Sequence, residues 1–182
     1  MTACSSSGHA PQDYVAWVED PKNGLHQEAV VGEYRYAVQY APHEYLALMN
    51  NKREVANAKA LINDLESYSG FDYFILRIAN GQTFLPSGQS LNEKWYGESH
   101  DYFAFWFQQD LIMAVAGDTL PCQVYHFEGE NSMKQQLSFM IAFENDMSGS
   151  RTLVIRDRAF TNDRIEFLFD EERIASIPKP KV

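Results

Sequence analysis

The clearest rhythm in the chain begins at Glu33. Tyr34, Tyr36, Val38 and Tyr40 fall on one side, with Glu33, Arg35 and Gln39 on the other. Alternation over eight residues predicts a half-buried strand. From Lys52 to Tyr68 the period changes. Val55, Ala58, Leu61, Ile62, Leu65 and Tyr68 recur at spacings of three and four, the stripe of an amphipathic helix. Asn51 and Glu54 are placed to cap its start and Gly70 to end it. After Gly70 the pattern reads as strands: Phe71–Ala79, Tyr102–Phe107, Leu111–Ala116, Cys122–Phe127, Leu137–Phe143, Thr152–Arg156 and Ile165–Phe169. Short polar connections between most of them favour antiparallel neighbours. Tyr102–Phe107 is apolar at every position and reads as a central strand covered on both sides. Asp13–Asp20 reads as a short strand closed by the turn at Asn23-Gly24, and Tyr45–Met49 as another strand.

These elements predict an α+β protein, mostly antiparallel β, with a curved sheet packed around one helix; a two-sheet β-sandwich is the alternative. The expected division is a flexible N-terminal tether over residues 1–12, one β-rich domain over 13–178, and a tail over 179–182. With 182 residues the chain is long enough for one ordinary domain and marginal for two. Aromatic residues make up 14%, a bias that favours strands. The formal net charge of −10 repels phosphate backbones and argues against nucleic acid as a partner. No run of about 18 apolar residues offers a membrane-spanning helix.

The N-terminus reads Met1-Thr2-Ala3-Cys4-Ser5-Ser6-Ser7-Gly8. Small residues before a cysteine, followed by a polar stretch, resemble the processing site and tether of a bacterial lipoprotein. The likeness covers about nine residues. It lacks the charged and apolar regions usually found upstream, and Met1 stands where a leucine is usual. The resemblance implies lipid attachment at Cys4, a membrane partner through that anchor, and residence at the bacterial outer membrane or cell envelope. If the match is accidental, the N-terminus belongs to a cytoplasmic protein. A flexible leash of about nine residues reaches roughly 15–18 Å and would hold an acidic domain clear of the headgroups.

Chemistry leaves little trace in the sequence. The glycine-rich phosphate loops, the nucleophile elbow and the zinc-protease motif are absent from it. Cys4 and Cys122 are too few for a disulfide framework and match no zinc spacing, and Cys122 reads as a small buried hydrophobe. His126 alternates with Val124 and is expected on a core face. His43-Glu44 and His100-Asp101 are candidate acid–base pairs, yet neighbours on a strand would point apart. Asn145-Asp146 with Ser148-Gly149 hints at a calcium loop without its ligand rhythm, and a hairpin turn is preferred. No catalytic residue, metal ligand or cofactor is assigned.

Phe84, Trp95 and Tyr96 lie in the long stretch from Asn80 to Ser99. They form either a binding loop for a protein or glycan partner, or a cover for the sheet edge. Two function classes stay open. One is a lipid-anchored envelope protein with a non-catalytic binding or scaffolding role. The other is a small ligand-binding protein or hydrolase-like enzyme whose site is assembled from loops.

Overall fold

The computed structural model describes residues 8–50, 64–80, 100–131 and 136–181. Among the described residues, nine antiparallel strands form two sheets. The first sheet has the order β1-β2-β3-β7-β6, built from β1 (His26–Val31), β2 (Tyr34–Ala41), β3 (Phe71–Asn80), β6 (Val124–Asn131) and β7 (Gln136–Glu144). The second has the order β5-β4-β8-β9, built from β4 (Leu111–Val115), β5 (Asp118–Pro121), β8 (Arg151–Arg156) and β9 (Arg164–Phe169). The fold is therefore mostly antiparallel α+β, as the alternation predicts, in the two-sheet form. Most connections within a sheet are short, β2 to β3 over residues 42–70 being the long one. Among the described strands the chain changes sheets three times: between β3 and β4, at Cys122-Gln123 and over residues 145–150.

The core lies between the sheets. On β3 the even positions Asp72, Phe74, Leu76 and Ile78 are buried, and Phe74 meets Phe169 of β9 at 5.2 Å between ring centroids. The expected inward set on β2 faces the core, with Tyr36, Val38 and Tyr40 buried and Tyr34 half-buried. Its opposite face is less polar than the alternation suggests. Gln39 is buried and donates to the Val18 carbonyl at 3.1 Å, because two helices cover that side of the first sheet.

Those helices are corrections to the sequence reading. Asp13–Asp20 is not a strand: helix α1 (Pro11–Glu19) starts on a proline and buries Tyr14, Val15 and Val18, one stripe of a helix. Tyr45–Met49 belongs to helix α2 (His43–Asn50), whose first turn is closed by Leu46 N–H donating to the Pro42 carbonyl at 3.0 Å. Both segments are too short and too apolar for their period to separate helix from strand. Tyr45 donates its hydroxyl to Glu19 at 3.1 Å, joining the two helices. The helix expected over 52–68 lies mostly outside the described residues. Residues 64–68 are helical, and Leu65 and Tyr68 pack against the core. A short helix α3 (Glu171–Ala175) follows β9.

Of the expected tether over 1–12 and tail over 179–182, residues 8–12 and 179–181 are described. His9 N–H donates to the Lys179 carbonyl at 3.0 Å, and Lys181 N–H donates to the His9 carbonyl at 2.7 Å, a parallel bridge. Gly8 fits because a β-carbon there would stand 2.8 Å from Lys181 Cγ. His9 and Lys179–Lys181 thereby brace each other. Residues 1–7, and Cys4 with them, lie outside the described set.

Candidate functional site

Tyr102–Phe107 is not a central strand. It forms a π-helical turn (Tyr102–Trp106), in which Phe107 N–H reaches the Tyr102 carbonyl, followed by a 3₁₀ turn (Phe107–Asp110). A strand would have placed Phe103, Phe105 and Phe107 on one face. Coiling separates them. Phe103 and Phe107, four residues apart, are fully buried, whereas Phe105 and Trp106 are 69% and 59% exposed.

The turn is held rigidly from beneath. Phe103 and Phe107 meet at 5.3 Å between centroids, and Phe107 packs on Phe139 of β7 at 5.2 Å. Tyr125 donates its hydroxyl to the Phe103 carbonyl. Tyr102 donates to the buried Asp110 carboxylate at 2.9 Å, and the Arg158 guanidinium stands 2.9 Å from the other oxygen, Oδ1, without hydrogen-bond alignment. Burial, then this bond to Asp110, pushes the Tyr102 phenol well above its ordinary range.

Beside the turn an open groove of about 380 Å³ runs along β5. Gln108, Gln109 and Thr119 supply amides and a hydroxyl, and Ile112, Leu120 and Pro121 supply aliphatic surface. Among the described residues no charged side chain lines it. Gln108 donates to the Cys122 carbonyl at 2.8 Å, which fixes one wall. Trp106 is two residues from Gln108, so their Cα atoms are at most about 7.6 Å apart.

A second, smaller cleft of about 190 Å³ opens at the start of α2. Tyr40, His43, Glu44, Asn145 and Lys179 line it with Ile174 and Ile177. The expected divergence of His43 and Glu44 assumed a strand; on a helix both reach the same cleft. His43 Nε2 donates to the Phe71 carbonyl at 2.7 Å. Beneath the cleft Tyr40 donates to Asp72 at 2.7 Å, and burial followed by the Asp72 charge drives its phenol far up.

Other sequence candidates resolve into structure. Cys122 is buried with its thiol 3.1 Å from the Val124 carbonyl, and burial pushes it up to about 12, so it is a protonated thiol at neutral pH. His126 is exposed, not on a core face, because Tyr125 and Phe127 turn inward instead. His100 and Asp101 stand 3.6 Å apart at the surface. The connection with the calcium-like composition is no hairpin turn: it joins the two sheets, and its oxygens serve a guanidinium. Asn145 Oδ1 and the Met147 and Gly149 carbonyls all accept from Arg151. No group of three or more potential metal ligands occurs among the described residues. Phe84, Trp95 and Tyr96 lie outside the described set.

The exposed pair at 105 and 106 was missed because an unbroken apolar run satisfies both periods. The available signal was the four-residue spacing of Phe103 and Phe107.

No protein family matches the sequence, and no curated protein matches it. Two solved structures superpose loosely. One is a DUF4426 family protein from Pseudomonas aeruginosa PAO1, with 8% identity over 87% of this chain and 98% of that one and a TM-score of 0.41. The other is a protein of unknown function from Burkholderia pseudomallei K96243, with 9% identity over 97% of each chain and a TM-score of 0.41. A likeness at that level leaves function to be argued from the residues themselves.

Proposed function

We propose that this is a lipid-anchored protein of the bacterial cell envelope with a non-catalytic binding role. The binding half is carried by one observation: Phe105 and Trp106 are exposed on a turn whose other aromatics are locked in the core, beside an open groove. Neighbouring exposed aromatics mark an interaction surface, and a rigid mount spares the ordering cost of binding. Tyr102 and Asp110 are engaged in holding the turn, and the Cys122 thiol is buried and protonated.

The anchor half rests on Ala3-Cys4-Ser5 and on chain length. Five residue steps separate Cys4 from the His9 bridge, a contour of at most about 18 Å. A lipid on Cys4 would hold the His9 and Lys179–Lys181 pole next to the bilayer.

Expression of the gene with its upstream region in medium containing an alkyne fatty acid tests the anchor. The wild-type product should carry the label and enter the detergent phase, and Cys4→Ser should do neither. A Cys4→Ser protein that stays equally membrane-bound refutes it. A photo-crosslinking residue at position 105 tests the binding half in cells. An adduct is expected there and not at exposed Arg156; equal yields from both positions overturn it.

The small cleft favours a second reading, a hydrolase-like site using His43 and Glu44. It ranks below the first because its volume falls under the roughly 300 Å³ usual for ligand pockets and His43 Nε2 is already committed to Phe71. Ester or amide hydrolysis abolished by both His43→Ala and Glu44→Gln in folded protein would reverse that order.

A further inference from the structure

We infer that the groove beside β5, together with Phe105 and Trp106, is a subsite for an uncharged glycan. This rests on the binding reading above and names the ligand class of that same site.

The lining carries the argument. Gln108, Gln109 and Thr119 are neutral, and between them offer both donors and acceptors. Ile112, Leu120 and Pro121 offer aliphatic surface between those polar groups. A sugar ring has the matching composition, with C–H faces that lie against apolar atoms and a rim of hydroxyls that both donate and accept. A charged ligand would leave water without a counter-charge from the described lining, and burying it that way is costly. The net charge of −10 turns anionic polymers away besides.

Size and shape point the same way. A groove of about 380 Å³ is at the lower end for small-molecule sites, which suits a few sugar units better than a protein surface. Phe105 and Trp106 are not in the groove's lining, but they stand exposed on the turn that leads into Gln108 and Gln109 and supply flat apolar faces on which C–H-rich rings stack. Because Phe103 and Phe107 are fixed in the core, the platform exists before the ligand arrives.

The test uses the full chain and defined probes: chitotriose, maltotriose and cellotriose as neutral sugars, with sialyllactose as a charged control. Saturation-transfer NMR and tryptophan fluorescence report binding. At least one neutral sugar should bind, and sialyllactose should not. Trp106→Ala should weaken binding about tenfold or more, as should Thr119→Arg, which sets a charge in the groove; both variants should melt with the wild type. The inference falls if none of the neutral sugars binds at millimolar concentration, if sialyllactose binds as well as they do, or if binding survives both substitutions. A position-105 crosslink to an envelope protein, with no sugar bound, would sink the glycan assignment while leaving the binding reading standing.

Discussion

Buried tyrosines in this protein differ by whether their hydroxyl finds an acceptor. Tyr36 donates to Asp157 at 2.6 Å, and that carboxylate also accepts from the Ala159, Phe160 and Thr161 backbones. Asp157 thereby shapes the loop after β8, and Phe160 stacks on Tyr34 at 4.3 Å. Tyr14 is equally buried, but its hydroxyl has no hydrogen-bond partner among the described residues. The two Tyr→Phe substitutions should therefore have opposite signs. Tyr36→Phe removes a bond to a charged group and should cost about 1.5–3 kcal/mol. Tyr14→Phe removes a desolvated hydroxyl and should be neutral or stabilising by up to about 1 kcal/mol. Urea denaturation of both variants checks the pair, and equal losses would mean that Tyr14 has an acceptor after all.

At the scale of elements, the turn at 102–110 divides its aromatics by role, and substitution should expose the division. Phe103→Ala empties a site bounded by Phe107, Phe139 and Phe160 and should cost about 3–5 kcal/mol. Phe105→Ala and Trp106→Ala remove exposed rings and should stay within about 0.5 kcal/mol of wild type. Thermal melts separate the two classes; a large loss at position 105 would place that ring in the core. The same turn shows what the sequence could express. Strands with one wet face, such as β9 with buried Ile165, Phe167 and Phe169 against exposed Arg164, Glu166 and Leu168, announce themselves by period two. Helices α1 and α2 cover a sheet with short apolar stripes, and eight or nine residues are too few for a period to stand out. β1 and β5 hid because no residue of either is fully buried, so neither shows a clear apolar face. The candidate groove was invisible for another reason: Gln109 and Thr119 meet only through the pairing of β4 with β5.

For the molecule as a whole, the two sheets are joined by ions as well as by rings. Arg151 of β8 donates to Asp72 of β3 at 2.8 Å, both buried, and Tyr40 of β2 completes the carboxylate. Removing the arginine alone strands a buried charge, so Arg151→Met should cost about 3–5 kcal/mol, and adding Asp72→Asn should recover part of the loss. A double-mutant cycle in urea measures the coupling; simple additivity would show that the pair does not act together. The buried hydroxyls and thiol set the alkaline limit of the same core. Cys122 is pushed from an ordinary 9.0 up to about 12, and Tyr14, Tyr36, Tyr40 and Tyr125 are pushed well above 10.0, all first by burial. Raised values mean that the folded state holds protons that the unfolded chain has released. Their contribution is therefore complete below pH 9 and is lost progressively as pH climbs from 9 through 12, the tyrosines joining above pH 10. The urea midpoint should fall across that window. Phenolate absorbance from these four tyrosines should appear together with loss of the β-sheet circular dichroism, and Cys122 should react with a disulfide reagent only then. If those phenolates formed near pH 10 while the sheets stayed intact, the tyrosines would have to be far wetter than this core allows.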